Sequence, residues 1–322
     1  MSNKHLFSRL KKSFISKGLL NGSALLNVFI ILAVTFSGAV GVRAAGNQPP
    51  NPLIPVPMPA QAPAKEAIAQ LPDTRLWYWD TGGNGIPVVL MHPASGSGLI
   101  WGYQQPAFAK AGYRVIGYSR RDYYKSDPAP KNNPGIASED LQNLVEFLGI
   151  KKFHVVASAA GGSIAADYAL SHGDRLLSMV ISSNSAGARQ GEIDEAARSI
   201  RPKIWDDIPV EIRELGPSYR GANPEGVKQW VDLSSRALTG ERTAQKSANV
   251  ITSQKLEDIK VPTLLITGDA DMSTPPSVMR LVARRIRNSE MVIVTESGHS
   301  IYWEQPEVFN RTVLNFIGKH AK

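Results

Sequence analysis

Cysteine is absent from the 322 residues. That excludes a disulfide framework, a lipid-attached cysteine, a thiolate nucleophile and a cysteine-ligated metal, so stability has to come from packing. Acidic residues are absent from the first 44 positions, which carry Lys4, Arg9, Lys11, Lys12, Lys17 and Arg43. Setting those six aside leaves 30 of the 36 basic residues against 28 acidic ones, too even a balance to imply a nucleic-acid partner. Histidine is scarce. Its six copies are scattered without metal-ligand spacing, and no phosphate-binding glycine loop occurs, so neither a metal nor a cofactor is expected.

What the N terminus does have is a basic start followed by the apolar run Ala24 to Val42, long enough for a signal sequence or one membrane pass. Small residues at Val42 and Ala44 suit cleavage after Ala44. Residues 1–44 are therefore read as a signal peptide or an uncleaved anchor. Either way the positive-inside rule puts the remainder outside the cytoplasm, periplasmic or secreted, with membrane contact only through this segment. Residues 45–74 are read as a linker, because seven prolines between 46 and 64 favour an extended spacer.

The remaining 75–322, in a chain with 43% hydrophobic content, suit one large domain. Short apolar runs at Val88 to Met91, Val115-Ile116, His154 to Val156, Met179 to Ile181, Leu264 to Ile266 and Met291 to Val294 alternate with helical patterns. Runs apolar on both faces predict a mostly parallel sheet covered by helices on either side. Ser138 is the expected N-cap of a helix whose stripe is Leu141, Leu144, Val145 and Leu148, with Gly149 ending it. Phe309, Val313, Phe316 and Ile317 mark the core face of the last helix. From about 186 to 259 the strand rhythm stops, and amphipathic segments predict a helical cap insertion.

Phe153 to Ala166 (FHVVASAAGGSIAA) reads as a buried strand, a turn of very small residues and a helix. A turn this tight requires small residues two before and two after its apex. Ala157 and Gly161 meet that requirement around Ala159, whereas centring on Ser158 would place Val156 and Ala160 there. With the downstream motifs TGDAD at 267–271 and ESGHS at 296–300, the chain resembles the α/β-hydrolase superfamily from roughly Arg75 to its C terminus. The resemblance implies the α/β-hydrolase fold and makes Ala159 the nucleophile position, where family members show serine. It implies Asp271 as the acid that orients His299, with Asp269 bracing the turn. His92-Pro93-Ala94-Ser95-Gly96-Ser97-Gly98 matches the place of the family's oxyanion loop, so the backbone N–H groups of Ala94 and Ala160 would form the oxyanion hole. The segment Arg120 to Asp127 resembles the loop after the next strand, and its charges are read as bracing that loop against the sheet. His92 and His154 are read as structural.

A small-molecule carbonyl substrate, an ester or lactone, is the expected partner. His299 held by Asp271 would activate water directly. Alanine at position 159 is also compatible with a noncatalytic pseudoenzyme or ligand-binding protein, with a cofactor-free lyase or oxygenase using His299 as base, with rescue by the Ser158 hydroxyl, and with an engineered replacement of serine. Substrate identity and oligomeric state are not encoded in any motif.

Overall fold

Val88, Val89, Leu90 and Met91 are all fully buried, so neither face of their strand meets water. The same holds along Phe153–Ser158 and Thr263–Gly268, and this two-sided burial is what fixes a central parallel sheet. The computed structural model describes residues 54–321; the leader at 1–44 and the first part of the linker lie outside them.

In chain order the elements are β1 (Lys65–Gln70), β2 (Arg75–Asp80), β3 (Pro87–Met91), α1 (Gln104–Lys110), β4 (Arg114–Tyr118), α2 (Ala137–Phe147), β5 (Phe153–Ser158), α3 (Ala160–His172) and β6 (Leu176–Ser182). Then come α4 (Glu192–Ser199), α5 (Val210–Glu214), α6 (Pro217–Ala222) and α7 (Pro224–Ser235) before β7 (Thr263–Gly268), α8 (Pro276–Arg285), β8 (Ser289–Val294), α9 (Ile301–Glu304) and α10 (Pro306–Lys319). The eight strands run in the order β1-β2-β4-β3-β5-β6-β7-β8. Only the β1/β2 and β2/β4 pairs are antiparallel.

Side-chain alternation splits the core in two. Val89, Met91, Val155, Ala157, Met179, Ile181 and Leu265 pack with residues of α2, α3 and α8. Val88, Leu90, Val156, Val180, Leu264 and Ile266 pack with residues of α1, α9 and α10. Both faces are closed, as the apolar runs predict.

Three local expectations meet a different outcome. Strand β1 lies within the stretch read as linker at 45–74, so the sheet begins ten residues before Arg75. Even the proline-rich part is docked: the Tyr103 hydroxyl donates to the Val56 carbonyl at 2.7 Å, the Ala62 N–H donates to Gln105 Oε1 at 2.8 Å, and Gln61 Nε2 donates to the Gly102 carbonyl at 2.9 Å. Ser138 does not cap α2, whose N-cap is Ile136. Its hydroxyl donates instead to Asp167 Oδ2 at 2.6 Å, and the same carboxylate accepts the N–H groups of Ala248 and Asn249.

That last contact shows how the segment 186–259 is organised. Its first helix, α4, puts Ile193 into the core beside α8, while Leu215, Tyr219 and Trp230 join the opposite core with Trp303. Its end is stitched to the body through Thr239 and Thr243 on Asp122, Lys246 on Gly135, and Ala248 and Asn249 on Asp167. The insertion therefore drapes over the domain at several separate points.

Strand β1 completes the sheet edge and buries its own Ala69 fully in the core. A chain starting at Arg75 loses a six-residue ladder and leaves β2, with Trp77 and Trp79, as an open edge. Its urea midpoint should fall well below that of a chain starting at residue 54; equal midpoints would show that β1 adds nothing to the fold.

Candidate active site

Strand β5 gives way to α3 through a single residue. Ala159 has φ 47° and ψ −120°, a backbone state that costs a residue bearing a Cβ about 1–3 kcal/mol. It is held there by two hydrogen bonds, its N–H to the Ser182 carbonyl at 2.9 Å and its carbonyl from the Gly162 N–H at 2.8 Å. The small residues are a packing requirement. A Cβ on Gly161 would sit 2.5 Å from the Met91 carbonyl oxygen, and one on Gly162 would sit 2.9 Å from Asn184 Cβ and Ile181 Cγ2. The contact between Gly161 and Met91 sets the elbow against the end of β3, where the loop carrying Ala94 starts. Ala160 opens α3, so its N–H has no acceptor within the helix.

Ser158 is the last residue of β5. Its side chain follows the alternation of Val156 onto the sheet face shared with Val180, and its hydroxyl is buried with no partner among the described residues. Ala159, at the apex, presents only a methyl group.

Asp271 follows β7, and His299 follows β8. His299 Nδ1 lies 2.9 Å from both Asp271 carboxylate oxygens. Asp271 is itself fixed, since Oδ1 accepts the N–H groups of Ser273 and Thr274, each at 2.8 Å. Asp269, two residues earlier, is exposed and among the described residues bonds through its backbone N–H to the Val294 carbonyl; the structure thus brings Asp271, not Asp269, to the histidine. Burial would raise the Asp271 carboxyl, but the charge of His299 and three hydrogen bonds outweigh it and keep it below the usual range. Burial works to lower His299; Asp271 first, then Glu214, overcome it and push the imidazole up to about 9.

Two glutamates support this loop. The Glu214 carbonyl accepts the N–H groups of both His299 and Ser300 at 2.9 Å. Glu304 is buried, accepts N–H groups from Gly216 and Gly298 at 2.9 Å and from Ser300 at 3.2 Å, and is pushed up to about 7 by burial even though those bonds oppose the shift. Together they bind the His299 loop to the α5–α6 turn. Glu304 had a signal in the sequence, a lone acid in the apolar run Ile301-Tyr302-Trp303, which only becomes meaningful once that run is known to be buried.

His92 is buried, with Nδ1 2.7 Å from the Pro93 carbonyl. Tyr123 donates its hydroxyl to the Ala94 carbonyl at 3.2 Å. Arg121 forms a buried two-pronged pair with Asp140 on α2, at 2.7 and 2.8 Å, which ties the loop after β4 to the body. Tyr219, Trp230 and Trp303 are core residues, and Trp205, nearer the surface, has the Arg201 and Arg213 guanidinium groups 5.3 and 5.7 Å from its ring centroid. A cavity of about 240 Å³ lies beside α1, lined by Gln61, Glu66, Trp79, Trp101 and Gln105. Gly98, at the far end of the loop after β3, also lines it, whereas Ala94, the elbow and the dyad do not. Among the described residues no three His, Asp or Glu side chains gather so as to hold a metal ion.

A strained elbow after the central strand, a carboxylate–imidazole pair on the loops after β7 and β8, and a backbone loop after β3 invite comparison with known proteins. The chain is 26% identical to a 2-hydroxy-6-oxononadienedioate/2-hydroxy-6-oxononatrienedioate hydrolase of Paraburkholderia phymatum, over 77% of this chain and 92% of that one. Its fold is similar to that of a thermophilic esterase from Thermogutta terrifontis, with TM-score 0.66, 23% identity and coverage of 80% and 100%. It is also similar to the enol-lactonase from Burkholderia xenovorans, with TM-score 0.62, 22% identity and coverage of 78% and 100%. The model of the alpha/beta hydrolase family matches residues 88–312, and the chain belongs to that family.

Proposed function

We propose that this protein is an exported hydrolase of a small carbonyl compound, an ester or lactone, whose histidine acts on water without a serine intermediate. One observation carries the reading: the His299–Asp271 pair is fully assembled, and the costly elbow geometry is retained, around a residue that has no nucleophile. The names of the relatives, an esterase, an enol-lactonase and an oxononadienedioate hydrolase, support the substrate class. Export rests on the leader; among the described residues no helix is long and apolar enough to cross a membrane.

In this mechanism Asp271 fixes the imidazole so that Nε2 faces the reacting water. As the water oxygen bonds to the substrate carbonyl carbon, its proton passes to Nε2, and the developing oxyanion is received by the N–H groups of Ala94 and Ala160. Collapse breaks the bond to the leaving oxygen, which takes the proton back from Nε2. The Ala159 methyl leaves room at the position where a family serine would carry its hydroxyl. Loss of a triad member does not abolish catalysis by such a site: binding and the oxyanion hole alone retain on the order of 10³–10⁴ over water in serine proteases.

The test is turnover of small esters and lactones by the protein, His299→Ala and Ala159→Ser. Activity in the parent that falls by at least about 100-fold in His299→Ala supports direct histidine chemistry. No turnover in the parent, with turnover appearing in Ala159→Ser, shows a disarmed site whose remaining role is binding.

The pH dependence has a definite sign. The base must be neutral, and its pKa is raised to about 9, so the rate should climb with pH through neutrality and level off only above about 9. In Asp271→Asn the main raising influence is gone, burial then dominates, and the limb should move to lower pH. The plateau should also drop, by up to about 10⁴-fold as the imidazole tautomer is lost. A rate limb that stays in place in Asp271→Asn would show that His299 is not the titrating base.

A further inference from the structure

One carbonyl in the oxyanion loop gathers three donors. The Pro93 oxygen receives His92 Nδ1 at 2.7 Å, Arg120 Nη2 at 3.2 Å and the Gly96 N–H at 3.3 Å. Two donors fall on the other nitrogen, Nε2, which accepts the Arg120 backbone N–H at 3.1 Å and Arg120 Nε at 3.2 Å, whereas Nδ1 has one nearby donor, Arg120 Nη2 at 3.3 Å, which also reaches the Pro93 oxygen. The ring proton therefore sits on Nδ1 and points at Pro93. Burial, and then the Arg120 charge, hold His92 well below its ordinary range, so the ring is neutral.

The Arg120 guanidinium lacks the carboxylate partner that several other arginines have. Arg114 pairs with Asp80, Arg121 with Asp140, and Arg285 with Glu192 and Glu257. Arg120 has no carboxylate at ion-pair distance among the described residues, and burial lowers its pKa. Instead it lies 4.8 Å from the centroid of the Tyr123 ring, which in turn packs edge-on against His92 and donates its hydroxyl to Ala94. An uncompensated charge beside one peptide has an electrostatic consequence, not only a packing one.

The Pro93 carbonyl and the Ala94 N–H are the two ends of one planar unit and point in opposite directions. Donors on the carbonyl draw electron density through the amide and make the N–H at the other end a stronger donor. We propose that Arg120 is a positioning residue that polarises the Pro93–Ala94 peptide, so that the Ala94 N–H binds a developing oxyanion more strongly than an ordinary amide. The proposal rests on the reading of Ala94 as an oxyanion donor. It gives the charge in the loop after β4 a role through the peptide, without contact to substrate.

The experiment compares the full chain with Arg120→Met, which keeps an apolar stem but removes donor and charge, and with Arg120→Lys, which restores charge. Two readouts are taken on variants whose unfolding midpoints show them folded. The first is the amide resonance of Ala94 in ¹⁵N-labelled protein, with the remote Gly149 as reference. The second is kcat and KM on the best ester substrate. Polarisation predicts that the Ala94 resonance moves upfield in Arg120→Met while Gly149 stays, that kcat falls on the order of 3- to 10-fold with KM unchanged, and that Arg120→Lys recovers part of both. An unmoved Ala94 resonance, or a change confined to KM, overturns it. If the parent turns over no substrate, the proposed function fails, and the Ala94 resonance alone decides whether Arg120 polarises the peptide.

Discussion

Gly161 has no space for a side chain, because the Met91 carbonyl lies where its Cβ would be. That close approach places the first turn of α3 on the end of β3, and two things follow from it. The chain leaving β5 has one residue in which to reverse into the helix, which forces Ala159 to a positive φ. The loop after β3 also starts beside the N terminus of α3, the arrangement on which the proposed Ala94 and Ala160 oxyanion hole rests. A methyl group at position 161 would separate them.

The histidine side of the site is built on the same principle of backbone held by buried acceptors. Gly268 and Gly298 admit no side chain either: a Cβ on the first would meet the Ser297 carbonyl at 2.0 Å, and one on the second the Gly216 nitrogen at 2.4 Å. Glu304 and the Glu214 carbonyl then take up the N–H groups of residues 216, 298, 299 and 300. Orientation of His299 thus depends on the turn between α5 and α6 as well as on Asp271. A segment of the insertion is therefore bonded directly to the His299 loop.

The sheet was legible in the sequence because strands buried on both faces read as unbroken apolar runs, and the elbow was legible because only very small residues fit it. Asp271 and His299 followed from the motifs that carry the family resemblance. Strand β1 was not legible: its residues are mostly exposed, its ladder is made with β2 alone, and it follows a proline-rich stretch. Ser138 illustrates a different limit. Its type and place suit a helix cap, yet Asp167, 29 residues away, competes for the same hydroxyl and wins. Glu214 acts through its own carbonyl, which leaves no trace in residue identity, and the partners of the Glu304 and Arg120 side chains are backbone groups that no residue type reveals.

The docked segment from Val56 to Ala62 has a mechanical meaning. Force applied to the chain from its N-terminal side reaches the domain first at the bonds to Tyr103, Gly102 and Gln105, and only afterwards at the ladder between β1 and β2. Load is thus shed on one edge of the sheet, by breaking contacts one after another. The elbow follows β5 in the middle of the sheet and the dyad follows β7 and β8 at its far side, so these first contacts to break are remote from the candidate site.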